Sequence, residues 1–360
     1  MTADTQKALF FFLPEIKITS LEPLGDGNVN DTWLIVSVPG EKYVLQRLNP
    51  FVFPDPGLVQ DNLCTVTYHL QARLNQIDAD FTVLKVIDNG NGAHSYIAHD
   101  GACWRMLSYI DDTQSLNTVS TADQAREIGR TLGLFHQLTS SLPPSSLADP
   151  LPGFHNTPLY LKQYDALLPT AQECAADCRD FIDERRHDVS LLEDLQKQET
   201  VRQQVIHGDP KVANFLFSRD LKRVISLIDL DTVKPGLLLH DIGDCLRSCC
   251  NPSGEDVREP GDVVFDQDLF AAMLSGYFNN ASDLLTVTDK QLLVDSVRLI
   301  SFELGLRFYS DHLAGNRYFK VKSPKQNLFR ARVQFALVRS IESKYTELME
   351  ICGAVHNKFV

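Results

Sequence analysis

The sequence of 360 residues contains no run of 18 or more apolar residues, so it predicts no transmembrane helix. It lacks the clusters of Lys and Arg that mark nucleic-acid-binding surfaces, and its net charge of −13 argues against a polyanionic partner. The apolar run at residues 9–13 ends at Pro14 and follows a single Lys, whereas a signal peptide has a basic start and a longer apolar core. We therefore expect neither a membrane nor a nucleic acid as a partner.

Cysteines at metal-binding spacing are also scarce. The eight Cys residues are scattered, and Cys174 and Cys178 have the i,i+4 spacing at which two helical side chains share a face. No second pair of Cys or His follows them at zinc-finger spacing, which argues against a zinc site. Reduced thiols in a cytoplasmic protein are the simpler interpretation.

The pattern of apolar residues changes along the chain. Residues 1–108 predict one helix over 58–74 and short strands over 16–24, 31–38, 42–48, 81–88, 95–99 and 103–110. Residues 109–360 predict helices over 122–138, 159–168, 170–198, 264–280, 289–313 and 325–350. Because single cores stop growing near ~250–300 residues, we expect two domains or one large domain of two lobes. The prediction is an α+β fold of two lobes, a small antiparallel sheet followed by a larger, mainly helical lobe.

The stretch VIHGDPKVANFLF, residues 205–217, is a polar loop between two short apolar runs. A base that takes a proton from a hydroxyl must lie on a reachable loop, and this spacing allows Asp209 and Asn214 to converge on one point. Kinase catalytic loops have the same spacing, with the Asp accepting the hydroxyl proton and the Asn holding Mg²⁺. Lys211 would neutralise charge on the transferred phosphoryl group. The alternative is a loop whose Asp and Asn only cap backbone groups.

Two further carboxylates follow in ISLIDLDTVKPG. Asp229 and Asp231 interrupt an apolar strand expected over 224–230, where a buried carboxylate is costly unless it is paired or bound to metal. In kinases the second strand of this hairpin delivers the Asp that bridges Mg²⁺ to the nucleotide phosphates, and Asp229 matches that role best. Asp231 is expected to point the same way on an extended strand and to hold a second ion or a water molecule.

The segment GDGNVND, residues 25–31, lies between two predicted strands and has the form G-x-G-x-x-N, with glycines at Gly25 and Gly27. A strand–loop–strand arrangement is typical of the kinase flap whose backbone N–H groups cover the nucleotide phosphates, whereas Rossmann and Walker loops run into a helix. A plain hairpin turn is the alternative.

The third predicted strand ends in Gln46 and Arg47, where kinases carry a Lys that pairs with the phosphates. Either Arg47 is the cation, with Asp61 of the next helix as its partner, or Gln46 takes the Lys position and other donors hold the phosphates. A solvated surface role is equally open for Arg47 and Asp61.

The combination HGDxKxxN, IDLD and LHDIGD resembles the aminoglycoside phosphotransferase/choline kinase superfamily. Within it the chain is most similar to the N-acetylhexosamine kinases, bacterial sugar kinases that phosphorylate the anomeric hydroxyl. The likeness covers most of the chain, through YVLQRLN, WRMLSYIDDT, LGLFHQL, LPGFHNTP, IDLDTVKPGLLLHDIGDCLRS and ELGLRFYSDHLAGNRYFK. It implies a kinase-like fold, ATP and Mg²⁺ as cofactors, and a sugar as the small-molecule acceptor.

The resemblance also implies roles for further residues. The positions that match the sugar contacts of the family are Asn28, Asp31, Arg307 and Tyr318, and the family usually has a His where this chain has Asn28. Packing, including an i,i+4 pair of Glu303 with Arg307, is the alternative for the late helices. Adenine is expected against the linker at residues 107–111, which includes Ser108 and Ile110. Support for the metal loop is expected from His207, Asp241 and Asp244.

Two other functions remain open at this point. An amino alcohol or aminoglycoside acceptor would want a carboxylate-lined or aromatic pocket, but both Trp residues lie in the small lobe and the late helices offer Arg307 and Arg317. A pseudokinase that binds nucleotide without turnover is favoured only by the missing Lys of the third strand.

Overall fold

An antiparallel sheet forms the small lobe in this computed structural model, which describes residues 2–25, 29–38, 40–77, 79–171, 174–257 and 260–359. Its strands are β1 (Ile18–Pro23), β2 (Asp31–Ser37), β3 (Lys42–Arg47), β4 (Val86–Ile87), β5 (Tyr96–Ile97) and β6 (Cys103–Ser108). The strands β1, β2, β3 and β6 are neighbours in that order, and β4 and β5 each pair with part of β6.

The inner face of this sheet is apolar. Ile35 of β2 and Leu45 of β3 are fully buried, as is Met106 of β6. They form one cluster with Trp104 and with helix α1 (Ala3–Phe12), which covers the sheet. Burial of each large apolar side chain contributes about 1.5–3 kcal/mol, so this cluster stabilises the packing of helix α1 on the sheet.

Helix α1 was not predicted from the sequence. Its apolar run places Phe12 in the core but leaves Phe10 70% exposed, so the run lacks the one-sided pattern of a surface helix. The helix begins at a side-chain cap, since Thr2 Oγ1 accepts a hydrogen bond from Thr5 N at 3.2 Å.

The large lobe is mainly helical. Its helices include α3 (Ala122–Thr139), α4 (Thr157–Leu167), α5 (Ala176–Glu184), α6 (Leu191–Lys197), α7 (Leu238–Cys249), α8 (Gln267–Ala281), α9 (Val287–Gln291), α10 (Leu293–Leu313), α11 (Gln326–Ser343) and α12 (Tyr345–His356). Helix α2 (Pro56–Leu74) belongs to the small lobe in sequence, yet its Leu63 and Leu70 join the main core of the large lobe. Within the described ranges, no helix has the length and apolar character needed to cross a bilayer.

Helices α3 and α8 approach closely because both present glycine at their contact. A Cβ at Gly129 would lie 1.9 Å from the Met273 carbonyl oxygen, and one at Gly276 would lie 2.0 Å from that of Arg126. Larger residues at these positions would force the two helices apart.

The small strands of the large lobe carry its loops. They are β7 (Thr113–Ser115), β8 (Gln203–Ile206), β9 (Phe215–Ser218), β10 (Val224–Leu227) and β11 (Lys234–Leu237). The pairs are β7 with β9, β9 with β10, and β8 with β11, all antiparallel. Residues 109–112 connect β6 of the main sheet to β7, and this is where the sequence predicts the boundary between the lobes.

The predicted α+β fold with a small sheet lobe and a larger helical lobe is confirmed. Several element boundaries differ. The strand expected over 81–88 is Val86–Ile87 alone, and the helix expected over 170–198 divides into α5 and α6. The break falls in RRHDVS, where the apolar period is interrupted and Asp188 and Ser190 offer side-chain alternatives to helical hydrogen bonds.

Candidate active site

The loop after β8 is held in a conformation that requires glycine. Gly208 has a φ of +88°, and a Cβ there would lie 2.6 Å from the carbonyl oxygen of Thr232. Thr232 Oγ1 also donates to the carbonyl oxygen of His207 at 2.9 Å. The two loops that carry the predicted catalytic and metal residues are therefore packed backbone to backbone.

We expect Gly208→Ala to lower the free energy of unfolding by at least about 1–3 kcal/mol, because a side chain at positive φ is strained and the added Cβ meets backbone. Urea unfolding measures this. Gly353→Ala is the matched control, since a Cβ at Gly353 meets open space on helix α12. Equal unfolding midpoints for the two variants would contradict the close approach at Gly208.

Helix α7 supports this loop from behind. The carboxylate of Asp241 accepts from Gly208 N at 2.8 Å, from His207 N at 2.7 Å and from His136 Nε2 at 2.9 Å. Burial acts to raise the pKa of Asp241, but the hydrogen bond and charge of His136 outweigh it and hold that pKa below its usual value. Two turns on, Ser248 Oγ accepts from Val212 N at 3.0 Å.

The other predicted supporting residues also lie behind the loop. His207 is fully buried, and its Nε2 donates to the carbonyl oxygen of Ile228 at 2.9 Å. Burial lowers the pKa of His207, which favours the neutral ring. Asp244 accepts from Arg247 Nε at 2.8 Å, and burial raises the pKa of the Asp244 carboxyl.

Asp209 and Lys211 form an ion pair at the cleft, each with somewhat more than a quarter of its side chain exposed. Burial acts to raise the pKa of Asp209, but the charge and hydrogen bond of Lys211 outweigh it, so the net pKa is lowered and the carboxylate is ionised at neutral pH. Asn214 folds back on the same loop, and its Nδ2 donates to the Asp209 carbonyl oxygen at 2.7 Å. The structure thus brings these three predicted residues together.

Asp229 lies opposite this loop. Strand β10 ends at Leu227, and Asp229 follows in the left-handed region with a φ of +67°. Burial, followed by the charge of Asp231, raises the pKa of Asp229 to about 7. Among the described residues its carboxylate makes no side-chain hydrogen bond or ion pair, and the charges of Lys211 and Arg105 only partly offset the raised pKa, so a bound cation would favour its ionised form.

The prediction that Asp229 and Asp231 share one extended strand was wrong. Asp231 lies in the 3-10 turn Leu230–Thr232 and is almost fully buried. One of its oxygens pairs with Arg105 Nη2, and the other accepts from Asn30 Nδ2 at 2.6 Å. The left-handed residue at Asp229 turns the chain, so the two carboxylates have different partners.

The predicted metal residues form a sparse set. Across the described ranges, no group of three or more His, Cys, Asp or Glu side chains has a metal-site arrangement. Mg²⁺ usually takes one or two carboxylates from the protein and completes its shell with waters and substrate phosphates. The unpaired carboxylate of Asp229 and the side-chain oxygen of Asn214 fit that requirement; a metal role for them, and for Asp231, stays a prediction.

The segment at the start of β2 faces the large lobe. Gly25 has a φ of +72° with open space around it, while Gly27 and Asn28 lie outside the described residues. Asp31, one of the predicted sugar contacts, accepts from Lys320 Nζ at 3.1 Å, and both side chains are about half exposed. This ion pair joins the two lobes at the mouth of the cleft.

The predicted phosphate cation has different neighbours from those expected. Arg47 Nη2 donates to Asp100 at 3.2 Å, and its Nη1 lies 3.9 Å from Asp31. Asp61 lies on the exposed face of α2, so in the described part of the chain it does not pair with Arg47. Gln46 instead accepts two hydrogen bonds from Arg105, its register partner on β6, at 2.9 and 2.7 Å.

Arg105 was missed by the sequence reasoning, although a signal was present. It is the charged residue within CWRMLS, an apolar strand whose first five side chains are buried. The same argument, a charge inside an apolar strand, singled out Asp229. Applied to Arg105 as well as to the segment with Asp229 and Asp231, the argument would have predicted a buried ion pair between the two lobes.

The predicted adenine linker lies where β6 leaves the sheet. Ser108 Oγ accepts from Lys85 N at 2.8 Å, and the carbonyl oxygen of Ile110 accepts from Thr113 Oγ1 at 2.7 Å. Both contacts fix the backbone of this connection. A role of Ser108 and Ile110 in binding adenine stays a prediction.

Arg307 of α10 is surrounded by aromatic rings. Its guanidinium carbon lies 4.9 Å from the ring centroid of Phe154, 5.1 Å from Tyr160, and 5.5 Å from both Tyr318 and Phe319. Its Nη2 is 3.4 Å from the hydroxyl of Tyr318. These distances are those of cation–π contacts, so the predicted sugar contacts Arg307 and Tyr318 are brought together in one aromatic box.

The charge of Arg307 also interacts electrostatically with Asp209 of the catalytic loop. Burial lowers the pKa of Arg307, but the surrounding tyrosines, Glu303 and Asp209 raise it more, so the net pKa lies above the ordinary value.

The i,i+4 pair of Glu303 with Arg307 does not form in the described structure. Glu303 binds His155 Nδ1 at 3.1 Å and Thr157 Oγ1 at 2.8 Å instead, and His155 Nε2 donates to the Gly208 carbonyl oxygen at 2.7 Å. Helix α10 is thereby linked to the catalytic loop through buried hydrogen bonds.

Solved structures of known kinases share the fold. A microcompartment-associated aminopropanol kinase is 16% identical, with a TM-score of 0.65 over 96% of this chain and 98% of that chain. The amicoumacin kinase hAmiN, solved with AMP-PNP and Ca²⁺, is 17% identical, with a TM-score of 0.58 over 95% of this chain and 92% of its own. The choline kinase LicA from Streptococcus pneumoniae is 15% identical, with a TM-score of 0.54 over 94% of this chain and 98% of its own.

Identities this low establish a common fold and leave the acceptor open. The model of the phosphotransferase enzyme family matches residues 20–272, which is well over half of the chain and includes the loop with Asp209 and the turn with Asp229. On this match, the chain belongs to the phosphotransferase enzyme family.

Proposed function

We propose that this phosphotransferase transfers the γ-phosphoryl group of ATP, with Mg²⁺, to a sugar hydroxyl. The acceptor we propose is an N-acetylhexosamine or related hexose, phosphorylated at its anomeric hydroxyl. The observation that carries the choice of acceptor class is Arg307, whose guanidinium occupies the aromatic box next to the catalytic loop.

The cleft residues divide the chemistry between them. The ionised carboxylate of Asp209 orients the acceptor hydroxyl and takes up its proton. Lys211, on the same loop, offsets the charge of the transferred group. Bound Mg²⁺ would be held by Asn214 and Asp229 and would neutralise the phosphate oxygens. Because these groups sit on loops fixed by helix α7 and strand β11, catalysis comes mainly from positioning and charge.

The box around Arg307 supports a neutral or anionic acceptor. A cationic acceptor is bound by aromatic faces or carboxylates, but here the four aromatic faces already contact the chain's own cation. An ammonium group placed there would meet a like charge. A guanidinium with free donors suits hydroxyl and acetamide oxygens, which is the chemistry of an N-acetylated sugar.

An amino alcohol or an aminoglycoside is the second candidate, because the similar solved structures include an aminopropanol kinase and a choline kinase. A pseudokinase is a weaker candidate, since Asp209, Asn214 and Asp229 are all present around the cleft. An acceptor panel separates the three functions. It contains hexoses, N-acetylhexosamines, choline, aminopropanol and an aminoglycoside, each with ATP and Mg²⁺, and the products are identified by NMR. Turnover of the amines alone, or of no acceptor, would overturn the proposal.

We expect Arg307→Met to raise the KM for the sugar by about 10-fold to 100-fold and to leave the KM for ATP unchanged. The reason is the loss of hydrogen bonds from a charged donor, worth about 1.5–3 kcal/mol. Steady-state kinetics with each substrate varied in turn measure both constants. Arg332→Met, which removes a partly exposed Arg paired with Asp177, serves as the control.

The same variant tests the choice of acceptor class in the opposite direction. If the natural acceptor is an ammonium compound, removal of the like charge at position 307 lowers its KM. That result, with no change for the sugar, would contradict the proposed role of Arg307.

A further inference from the structure

Arg105 is a deeply buried charge of the small lobe. The residue is 1% exposed, on an interior strand of the small lobe's sheet. Its Nε and Nη2 donate to the side-chain oxygen of Gln46, the residue opposite it on β3. Gln46 is itself oriented by Thr32 of β2, since its Nε2 donates to Thr32 Oγ1 at 3.2 Å. Three adjacent strands therefore fix the position of one guanidinium.

The acid that balances this charge comes from the other lobe. Asp231 follows the turn that carries Asp229, and its carboxylate pairs with Arg105 in a contact where both side chains are almost fully buried. Its second oxygen accepts from Asn30, which belongs to the segment GDGNVND, residues 25–31. A buried carboxylate is costly to leave unpaired, so Asp231 stays with these two small-lobe donors. One carboxylate thus connects strand β6 and the segment at residues 25–31 to the turn Leu230–Thr232.

Arg105 retains one donor without a partner. Its Nη1 is buried and has no hydrogen-bond partner among the described residues. A buried donor left unsatisfied costs about 1–3 kcal/mol, so this atom indicates a missing acceptor. Asp231, the ion-pair partner of Arg105, lies two residues after Asp229, so a phosphate oxygen bound beside that turn, reached directly or through one water, would satisfy the donor.

The alternative cation, Arg47, has a different setting. About a third of its side chain is exposed, and its partners Asp31 and Asp100 are about half exposed. Surface pairs of this kind contribute little and are easily screened. Gln46, one of the two residues that the sequence offers for the strand-three position of the kinase Lys, lies opposite Arg105 on β6, so a buried positive charge is present at this level of the sheet.

We propose that Arg105 supplies the positive charge at the nucleotide phosphates of this chain, and that Asp231 is the positioning residue that holds it there from the large lobe. Both members of the pair therefore lie at other places than in the usual kinase pair of a strand-three Lys and a helix Glu. The cation is on β6, and the acid lies in the turn Leu230–Thr232. The inference rests on the nucleotide half of the proposed function and is independent of the acceptor.

The test compares binding of ADP with Mg²⁺ and binding of adenosine, measured by calorimetry without any acceptor. We expect Arg105→Gln to weaken ADP binding by about tenfold or more and to leave adenosine binding unchanged, since adenosine has no phosphates. Asp231→Asn should give a smaller loss with the same selectivity, and Arg105→Lys should recover part of the ADP affinity. Arg185→Gln, which removes a partly buried Arg paired with Glu342 away from the cleft, controls for general destabilisation.

The selectivity for phosphates distinguishes the proposal from a purely structural role. Equal losses for ADP and adenosine in Arg105→Gln would overturn it, and so would a selective loss of ADP binding in Arg47→Gln alone. If Arg105→Gln does not fold, Arg105→Lys and Asp231→Asn give the same comparison with most of the side-chain volume retained. Absence of ADP binding by the wild-type protein would overturn the nucleotide half of the proposed function and this inference with it. Failure of the sugar acceptor alone would leave the inference intact.

Discussion

Asp209→Asn is expected to lower kcat by about 10²-fold to 10⁴-fold, the range that a positioned general base contributes. The amide has nearly the same shape as the carboxylate but does not take up the hydroxyl proton. The KM for ATP should stay close to that of the wild-type protein, because the loop remains fixed by the contacts of its backbone with Asp241 and Thr232. Initial rates with saturating ATP and acceptor measure the change.

The control for this variant is Asp123→Asn, which neutralises a largely exposed Asp paired with Arg126 on helix α3. Its rate should equal that of the wild-type protein. Calorimetric binding of ADP to Asp209→Asn then confirms that the nucleotide site is intact. Turnover of Asp209→Asn at the wild-type rate would remove Asp209 from the role of base.

Asp241→Ala is expected to have the largest effect on stability. Its carboxylate satisfies two backbone N–H groups and one imidazole inside the large lobe, and all three lose their acceptor in the variant. Removing one partner from a buried charged network costs about 3–5 kcal/mol. Urea unfolding should therefore show a much lower midpoint, and kcat should fall as well because His207 and Gly208 precede Asp209 directly.

A matched comparison is Asp266→Ala. Asp266 also accepts two backbone N–H bonds, from Asp268 and Leu269, but as the N-cap of helix α8. Loss of such a cap costs about 0.5–2 kcal/mol. If the two variants unfold at the same urea concentration, Asp241 does not hold the loop in the way its contacts indicate.

The loop of the candidate site was accessible from the sequence because its signals are local. Asp209, Lys211 and Asn214 lie within six residues, and apolar strands on both sides fix the loop between them. A short spacing leaves few conformations, so convergence could be predicted. The two-lobed fold was equally accessible, since strand and helix periods are local properties.

The failures concern partners that are distant in sequence. For Arg47 the sequence offered Asp61 as the partner, beside the alternative that Gln46 takes the Lys position and other donors hold the phosphates. Which charge reaches which depends on sheet register, and register places Arg105 beside Gln46, where it pairs with Asp231. The role expected for Asp231 assumed an extended strand, which the left-handed residue at Asp229 ends. Both errors arise because a single backbone angle or a single register step redirects a side chain over many ångströms.

The aromatic box around Arg307 has a consequence for how the cleft responds to its surroundings. A site that recruits a cationic acceptor changes its net charge on binding and exchanges counterions with the solution, so its occupancy depends on ionic strength. Here the positive charge is covalently part of the chain and is already stacked between Phe154, Tyr160 and Tyr318. Binding of the uncharged sugar proposed above would leave the counterion population unchanged, so its affinity should depend little on ionic strength, whereas the affinity for a cationic acceptor would change with it.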